Sequence, residues 1–210
     1  MTEGRQLRPD TGRVGVIVAG GRSTRFGGFD KATVHVDGVP MIRRGADGLA
    51  PAVDELVVNC RRKKRPAFED ALSGLVVSFA EDPILDRGPV AGLRTGLQAT
   101  TAEYAAVVAC DMPFVPTSLV DHLFAASRTN AGAVPEVNGE LQPFPAVVHV
   151  RAAQTACTDA FVRREGRLRD VVDLLDPVVV SEQTVTAYAD PTALCNINTR
   201  EDLRDARVSA

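Results

Sequence analysis

Three side chains in this sequence, Arg25, Lys31 and Asp111, are of types suited to phosphate chemistry. The first two lie in residues 14–31, VGVIVAGGRSTRFGGFDK, where an apolar run from Val14 to Ala19 stops at Gly20-Gly21. A polar loop containing Gly27-Gly28 follows and ends on Asp30-Lys31. Glycines directly after a buried strand let the backbone turn tightly and approach a ligand with no Cβ in the way. Backbone N–H groups of such a turn form an anion-binding concavity. Lysine adds a point charge for a phosphate oxygen, and arginine a fork for two-point contact. Asp111 closes the apolar run Tyr104–Cys110 and is followed by Met112-Pro113, which restricts the backbone around it. A strand-end carboxylate facing a phosphate loop suits magnesium, which is held by one or two carboxylates together with substrate phosphates. The chemistry implied is phosphoryl or nucleotidyl transfer, in which the protein mostly positions groups and stabilises charge. Simpler readings exist for each residue: a surface loop with incidental charge, a Lys31 ion pair with Asp30, and an Asp111 that caps the helix opening at Pro116.

The elements that must position these groups follow from the hydrophobic pattern. Val14–Val18, Leu56–Asn59, Leu75–Ser78, Tyr104–Ala109 and a segment near Ala131–Val134 read as strands. Helices are expected from Pro40 to about Ala50, around Pro66–Ala71, from Gly88-Pro89 to about Ala99, and from Pro116 to about Ser127. Ala32–Val36 alternates like a short strand and ends at the turn pair Asp37-Gly38, and Phe79–Arg87 reads as a loop. Strands alternating with helices indicate an α/β fold, a mostly parallel Rossmann-like sheet flanked by helices. Ligands of such sheets bind beyond the carboxyl ends of the strands. Gly20-Gly21, Asn59, Glu81-Asp82 and Asp111 then share one rim. In the second half, Leu141–Val150 holds two prolines and reads as an edge or bent strand. Ala152–Arg164 and Arg167–Leu175 read as helices, Val178–Val180 and Thr184–Ala187 as a small strand pair, and Thr199 as the cap of a last helix with Asp202 three residues on. The expected organisation is a mobile tail over residues 1–13 and one domain over 14–210.

The 210 residues carry a net charge of -3, which speaks against a general nucleic-acid partner. The run Arg61–Arg65 is the exception, either a solvated helix start or a positive rim that draws in a polyanion. No apolar run approaches the ~20 residues needed to cross a bilayer, and the first residues lack a secretory h-region, so no membrane partner and a cytoplasmic location are expected. Cys60, Cys110, Cys157 and Cys195 form no C-x-x-C pair, which argues against a structural zinc site. Cys60 and Cys110 end apolar runs and read as small buried hydrophobes. His35, His122 and His149 are scattered and offer no nucleophile–histidine–acid set.

The loop at 20–31 is neither a Walker A loop, which ends in Gly-Lys-Ser/Thr, nor a G-x-G-x-x-G dinucleotide fingerprint. Val18-Ala19-Gly20-Gly21, Arg25-Phe26-Gly27 and Asp30-Lys31 resemble the LAGG-x-S-x-R-M-G-x-DK signature of nucleotidyltransferases that activate sugars and cofactors. The doubled Gly27-Gly28 is most similar to the molybdenum cofactor guanylyltransferases, the MobA family. Cys110-Asp111-Met112-Pro113 resembles the family's CD-x-P, and Gly88-Pro89-Val90-Ala91-Gly92 its GP-x-AG. The resemblance spans residues 14 to about 204. It implies transfer of GMP from GTP to the phosphate of molybdenum-molybdopterin, with release of pyrophosphate.

The same resemblance implies a nucleotide site made of Val18, Ala19, Gly20, Gly21, Lys31, Asn59, Asp82, Gly88, Gly92 and Asp111. Arg25, Lys31 and Asp111 are its catalytic candidates, and Asp111 holds Mg2+, with Mn2+ as the alternative. Gln142, Asn196 and Asn198 fall on the acceptor side. Transient contact with molybdenum-insertion proteins or molybdoenzyme chaperones belongs to the same expectation. Val18 replaces the family's leucine, Phe26 its methionine and Arg200 its last proline, and none of these changes removes a charged group. Asn59 taken alone also fits a strand-end cap. The rivals are a cytidylyl- or other nucleotidyltransferase acting on a cofactor or sugar phosphate, and a nucleotide-binding regulator without turnover. A glycosyltransferase fits less well, because no D-x-D motif stands at a strand end.

Overall fold

The computed structural model describes residues 12–21, 30–83, 88–163, 166–199, 201, 202 and 204. Most of the expected tail, together with Arg25 and Gly27-Gly28, lies outside the described residues. The first half contains β1 (Arg13–Val18), a 3-10 turn at Lys31–Thr33, the hairpin β2 (His35–Val36) and β3 (Val39–Pro40), and α1 (Met41–Leu49). Then come β4 (Glu55–Cys60), a 3-10 turn at Arg62–Lys64, α2 (Arg65–Ala71), β5 (Val77–Glu81), α3 (Pro89–Gln98), β6 (Tyr104–Ala109) and α4 (Thr117–Ala126). The second half adds β7 (Gly132–Val137), β8 (Glu140–Leu141), β9 (Ala146–His149), α5 (Val150–Val162), α6 (Leu168–Leu175), β10 (Val178–Val180) and α7 (Glu182–Val185).

The main sheet has the order β10-β7-β9-β6-β1-β4-β5, with β8 attached to β7. Pairings of β1 with β4 and β6, of β4 with β5 and of β7 with β10 are parallel. β9 pairs antiparallel with both β6 and β7. The α/β, mostly parallel architecture is therefore as the sequence indicated. Alternation along each strand sorts the core into two layers. Val14, Val16, Val57 and Val107 pack with Val90, Leu93 and Leu97 of α3 and with the apolar sides of α5 and α6. Ile17, Val58, Cys60 and Val108 pack with Ile42, Ala46 and Leu49 of α1, Phe68 of α2 and Leu119 and Leu123 of α4. No helix among the described residues is long and apolar enough to cross a membrane.

Four local expectations are corrected. Residues 31–33 form a 3-10 turn capped by Asp30, whose carboxylate accepts from the Ala32 N–H, so only His35–Val36 is extended. The Asp37-Gly38 turn is present, with φ of 49° and 80° as a two-residue hairpin turn requires. β5 starts at Val77, because its parallel register on β4 pairs Leu56 with Val77 and Cys60 with Glu81; Phe79–Glu81 thus belong to a strand and not to a loop. β9 lies inside the sheet, since both prolines precede it and leave every ladder N–H available. Residues 182–185 are helical because Ser181 accepts from the Thr184 N–H as an N-cap, while Val178–Val180 joins β7.

Candidate active site

The carboxyl ends of β1, β4, β5 and β6 open onto one cavity of about 630 Å3. Backbone bonds extend this rim beyond the strands: Ala19 N–H donates to Asn59 O at 2.9 Å, Asp82 N–H to Cys60 O at 2.9 Å, and Cys110 N–H to Val18 O at 3.1 Å. Val18, Gly20, Gly21, Lys31, Asn59, Asp82, Gly88, Gly92, Asp111, Gln142 and Asn196 all line the cavity. Ala19 is buried beneath the rim, and Asn198 is reached through Lys31. Glu81, which the sequence also placed on the rim, turns to Arg65 at 3.2 Å.

Two polar clusters divide the cavity. In the first, Lys31 Nζ donates to Asp111 Oδ2 and, at 3.3 Å, to Asn198 Oδ1. Asp30 instead pairs with Lys64 at 2.9 Å, so the neighbour ion pair does not form. Asp111 is buried and held at its backbone, where its carbonyl accepts from Ile197 N–H at 2.9 Å. It does not cap α4, whose N-cap is Pro116. Asn198 is fixed in turn: Asp202 Oδ2 accepts from the N–H groups of Asn198 (2.7 Å) and Thr199 (2.9 Å), and Thr199 Oγ1 accepts from Asp202 N–H. This is the cap expected at Thr199. The Asn198 N–H first and the Thr199 hydroxyl second hold the Asp202 carboxyl below its ordinary range.

The second cluster is built on Asn59, fully buried within β4. Its Nδ2 donates to Asp82 Oδ1 at 2.7 Å and to Ala80 O at 3.2 Å. Both partners are acceptors, which fixes the orientation of the amide. Asn59 Oδ1 is buried and has no partner among the described residues. Glycine is required on either side of it. A Cβ on Gly92 would stand 2.5 Å from Asn59 Oδ1, and one on Gly20 would stand 2.5 Å from Asp82 Oδ2 and 3.1 Å from Asn59 Oδ1. Asn59 is therefore not a strand-end cap. The GP-x-AG glycine makes room for it from α3, and Gly88 begins that helix at a φ of 81°.

Among the described residues no group of three or more His, Cys, Asp or Glu side chains is placed to hold a metal ion. The donors around Lys31 are nonetheless oxygens of the hard type. A carboxylate and an amide oxygen converge on one ammonium, an arrangement that also fits a magnesium-like ion sharing substrate phosphates. The thiols at the strand ends are inert: burial first, then Asp111, pushes Cys110 up to about 12, and burial first, then Glu81, pushes Cys60 up to about 11.

Sequence reasoning missed Arg61 and Lys64, which it treated as part of one charged run. Arg61 is buried, lines the cavity and donates from Nε to Gly20 O at 2.7 Å. Lys64 Nζ donates to Gly21 O at 2.7 Å. The signal available was the position of Arg61 two residues after Asn59, the alternation that keeps a side chain on the same face. Phe144, Leu168 and Leu194 also line the cavity, and nothing in their local sequence marks them.

Comparison with known proteins supplies the family. The family model for the MobA-like NTP transferase domain matches residues 15–184. The chain belongs to this family. A Haloferax mediterranei protein named probable molybdenum cofactor guanylyltransferase is 50% identical over 204 residues, covering 97% of each chain. A Natronomonas pharaonis protein of the same name is 40% identical over 93% of this chain and 96% of its own. Among solved structures, molybdopterin-guanine dinucleotide biosynthesis protein A from Archaeoglobus fulgidus superposes with a TM-score of 0.73 over 94% of this chain and 97% of that one, at 21% identity. The Anaerococcus prevotii 4-diphosphocytidyl-2C-methyl-D-erythritol synthase gives the same TM-score at 14% identity, over 95% and 96%. At these identities the two structures establish the shared fold.

Proposed function

We propose that this MobA-like NTP transferase transfers GMP from GTP to the phosphate of molybdenum-bound molybdopterin. The observation that carries the reading is the meeting of Lys31 and Asp111, 80 residues apart, at the cavity rim. Family membership and the names of the 50% and 40% identical relatives point to the same activity. In this reading a phosphate oxygen of the acceptor attacks the α-phosphorus of GTP, and the bond from that phosphorus to the β-phosphate oxygen breaks. Pyrophosphate leaves with that bonding pair. A phosphate monoester is largely ionised at neutral pH, so no protein base is required.

Lys31 exchanges its contact with Asp111 for a phosphate oxygen and stabilises charge as it develops there. Asp111, with Asn198 beside it, is then the group that would hold a divalent ion, magnesium in this proposal with manganese as the alternative. When bound, such an ion would supply positive charge that neutralises the phosphates. Arg25 joins the proposal on the strength of the signature alone. The Asp82 carboxylate, oriented by the bond from Asn59 Nδ2, lines the cavity as an acceptor and suits the N1–H and N2–H edge of guanine. Cytosine offers a single exocyclic amine as donor, which favours the guanylyl over the cytidylyl reading. Gln142, Asn196 and Asn198 are assigned to the acceptor side. The catalytic unit is assigned to one domain over 14–210, acting in the cytoplasm, with insertion proteins or molybdoenzyme chaperones as transient receivers of product.

Calorimetric titration with GTP, CTP, ATP and UTP in the presence of magnesium tests this, followed by a pyrophosphate-release assay with molybdopterin as acceptor. A GTP preference supports the reading. A CTP preference moves the activity to cytidylyl transfer, and binding of no nucleotide refutes the site.

A further inference from the structure

The run at 61–65 is the largest cluster of one charge in the sequence, and the proposed reaction leaves it without a task. Its side chains divide sharply in the structure. Arg62 is exposed, and Arg65 pairs with Glu69 at 2.8 Å and Glu81 at 3.2 Å. Lys64 is different: its side chain is 10% exposed, and its ammonium lies 5.9 Å from the Phe68 ring centroid. That ammonium meets Gly21 O at 2.7 Å and Asp30 Oδ2 at 2.9 Å. Gly21 and Asp30 flank residues 22–29 of the signature. Asp30 also caps the 3-10 turn that carries Lys31: its Oδ1 accepts from Ala32 N–H, and its carbonyl from Thr33 N–H at 3.0 Å. Arg61 adds a bond to Gly20 O.

We propose that Lys64, assisted by Arg61, is a positioning residue that ties both flanks of the signature to the end of β4 and thereby sets where Lys31 stands. The nucleotide chemistry rests on the function proposed above, whereas the tie itself does not. A long-range attraction of polyanions would use every exposed cation of the run alike and fade with salt. A positioning role depends on the one ammonium that makes these bonds.

Three full-length variants separate the two: Lys64→Ala, Lys64→Arg and the exposed neighbour Lys63→Ala, which removes the same charge. Amide hydrogen exchange without nucleotide should show Lys64→Ala exchanging at least tenfold faster than wild type at Ala32, Thr33 and Val34, with Lys63→Ala unchanged and Lys64→Arg largely protected. In the pyrophosphate assay with GTP, kcat/KM should fall about tenfold in Lys64→Ala and less than twofold in Lys63→Ala, with Lys64→Arg recovering most of the loss. Equal effects of Lys63→Ala and Lys64→Ala, or unchanged exchange in Lys64→Ala, would overturn the assignment. Faster exchange in Lys64→Ala, together with a wild-type protein that binds no GTP, would uphold the tie and refute the function.

Discussion

The arrangement around Asn59 makes Gly92→Ala an informative substitution. In an ordinary helix interior, replacing glycine by alanine stabilises by up to about 1 kcal/mol. Here the new methyl carbon would lie 2.5 Å from Asn59 Oδ1 and 3.3 Å from Val18 Cγ1. The amide cannot yield without breaking its bonds to Asp82 and Ala80, and Asn59 has no exposed surface into which to swing. Overpacking of a tight site costs about 1–3 kcal/mol, and each buried hydrogen bond lost adds about 1 kcal/mol. Set against the helix gain, the net is a destabilisation of about 2 kcal/mol, a fall in Tm of roughly 4–8 °C for a chain of this size. GTP affinity should fall at least tenfold, because the methyl also enters the cavity that Gly92 lines. Gly96→Ala is the control: its Cβ would stand 2.6 Å from Val16 Cγ1 and 3.7 Å from Asn59 Cβ, so it stresses the core and spares the amide. Thermal melts and GTP calorimetry on both variants, repeated in an Asn59→Ala background, complete the cycle. Without the amide, Gly92→Ala should become neutral or stabilising, a coupling of about 2 kcal/mol. A Gly92→Ala protein that melts and binds like wild type, or one whose penalty persists without Asn59, refutes the reasoning.

Lys31→Ala and Asp111→Asn should each lower the rate of pyrophosphate release by about 10²- to 10³-fold, the scale of losing one charge-stabilising group, while Tm moves by only a few degrees. Burial keeps the thiols of Cys60, Cys110 and Cys157 protonated, the last raised to about 12, whereas Cys195 is exposed; iodoacetamide at pH 8 should add one label to the native protein by mass spectrometry. These thiols hold protons above pH 9 that the unfolded chain has released, so stability should fall as pH rises from about 9, by about 1.4 kcal/mol per pH unit for each thiol until its folded value is reached; Cys157→Ala should make that fall shallower in urea melts. Asp202 works in the opposite sense. Its lowered value means that its contribution is present above the ordinary carboxylate range and is lost as pH falls through the folded value. Asp202→Asn, which loosens the bonds that fix Asn198, should raise KM for the acceptor at neutral pH.

The site was legible where one strand and its following turn contain the whole signal. Gly20-Gly21 after β1 and Asp111 after β6 needed only an apolar run that stops, together with the rule that parallel strands present their carboxyl ends to ligands. The β5 start was not legible, since it depends on the register of β4 and not on the apolar residues Leu75 and Val76. Nor was the interior place of β9, which depends on pairing with strands on both sides. Thr184-Val185-Thr186 is a β-branched run, and the Ser181 cap outweighs it. Lys64 shows the same limit most clearly. Its sequence neighbourhood says only that charge is abundant, and its partners Gly21 and Asp30 are more than 30 residues away along the chain, with Gly21 brought to it by the parallel pairing of β1 with β4.

The reversed strand β9, in the interior of the main sheet, has a consequence for how such a cavity can change over time. Because β9 runs against β6, the segment entering it, Gln142-Pro143-Phe144, reaches the same rim that the parallel strands reach with their exits. The wall formed by β1, β4, β5 and α3 is encoded before residue 99, and the facing wall comes from stretches after residue 140. The two walls can therefore mutate independently: insertions or replacements between Val137 and Ala146 redraw one side of the cavity while the register that sets Asn59, Asp82 and Gly92 stays intact. A fold wired in this way allows one partner of a reaction to be exchanged in evolution, or by grafting that short segment, without rebuilding recognition of the other.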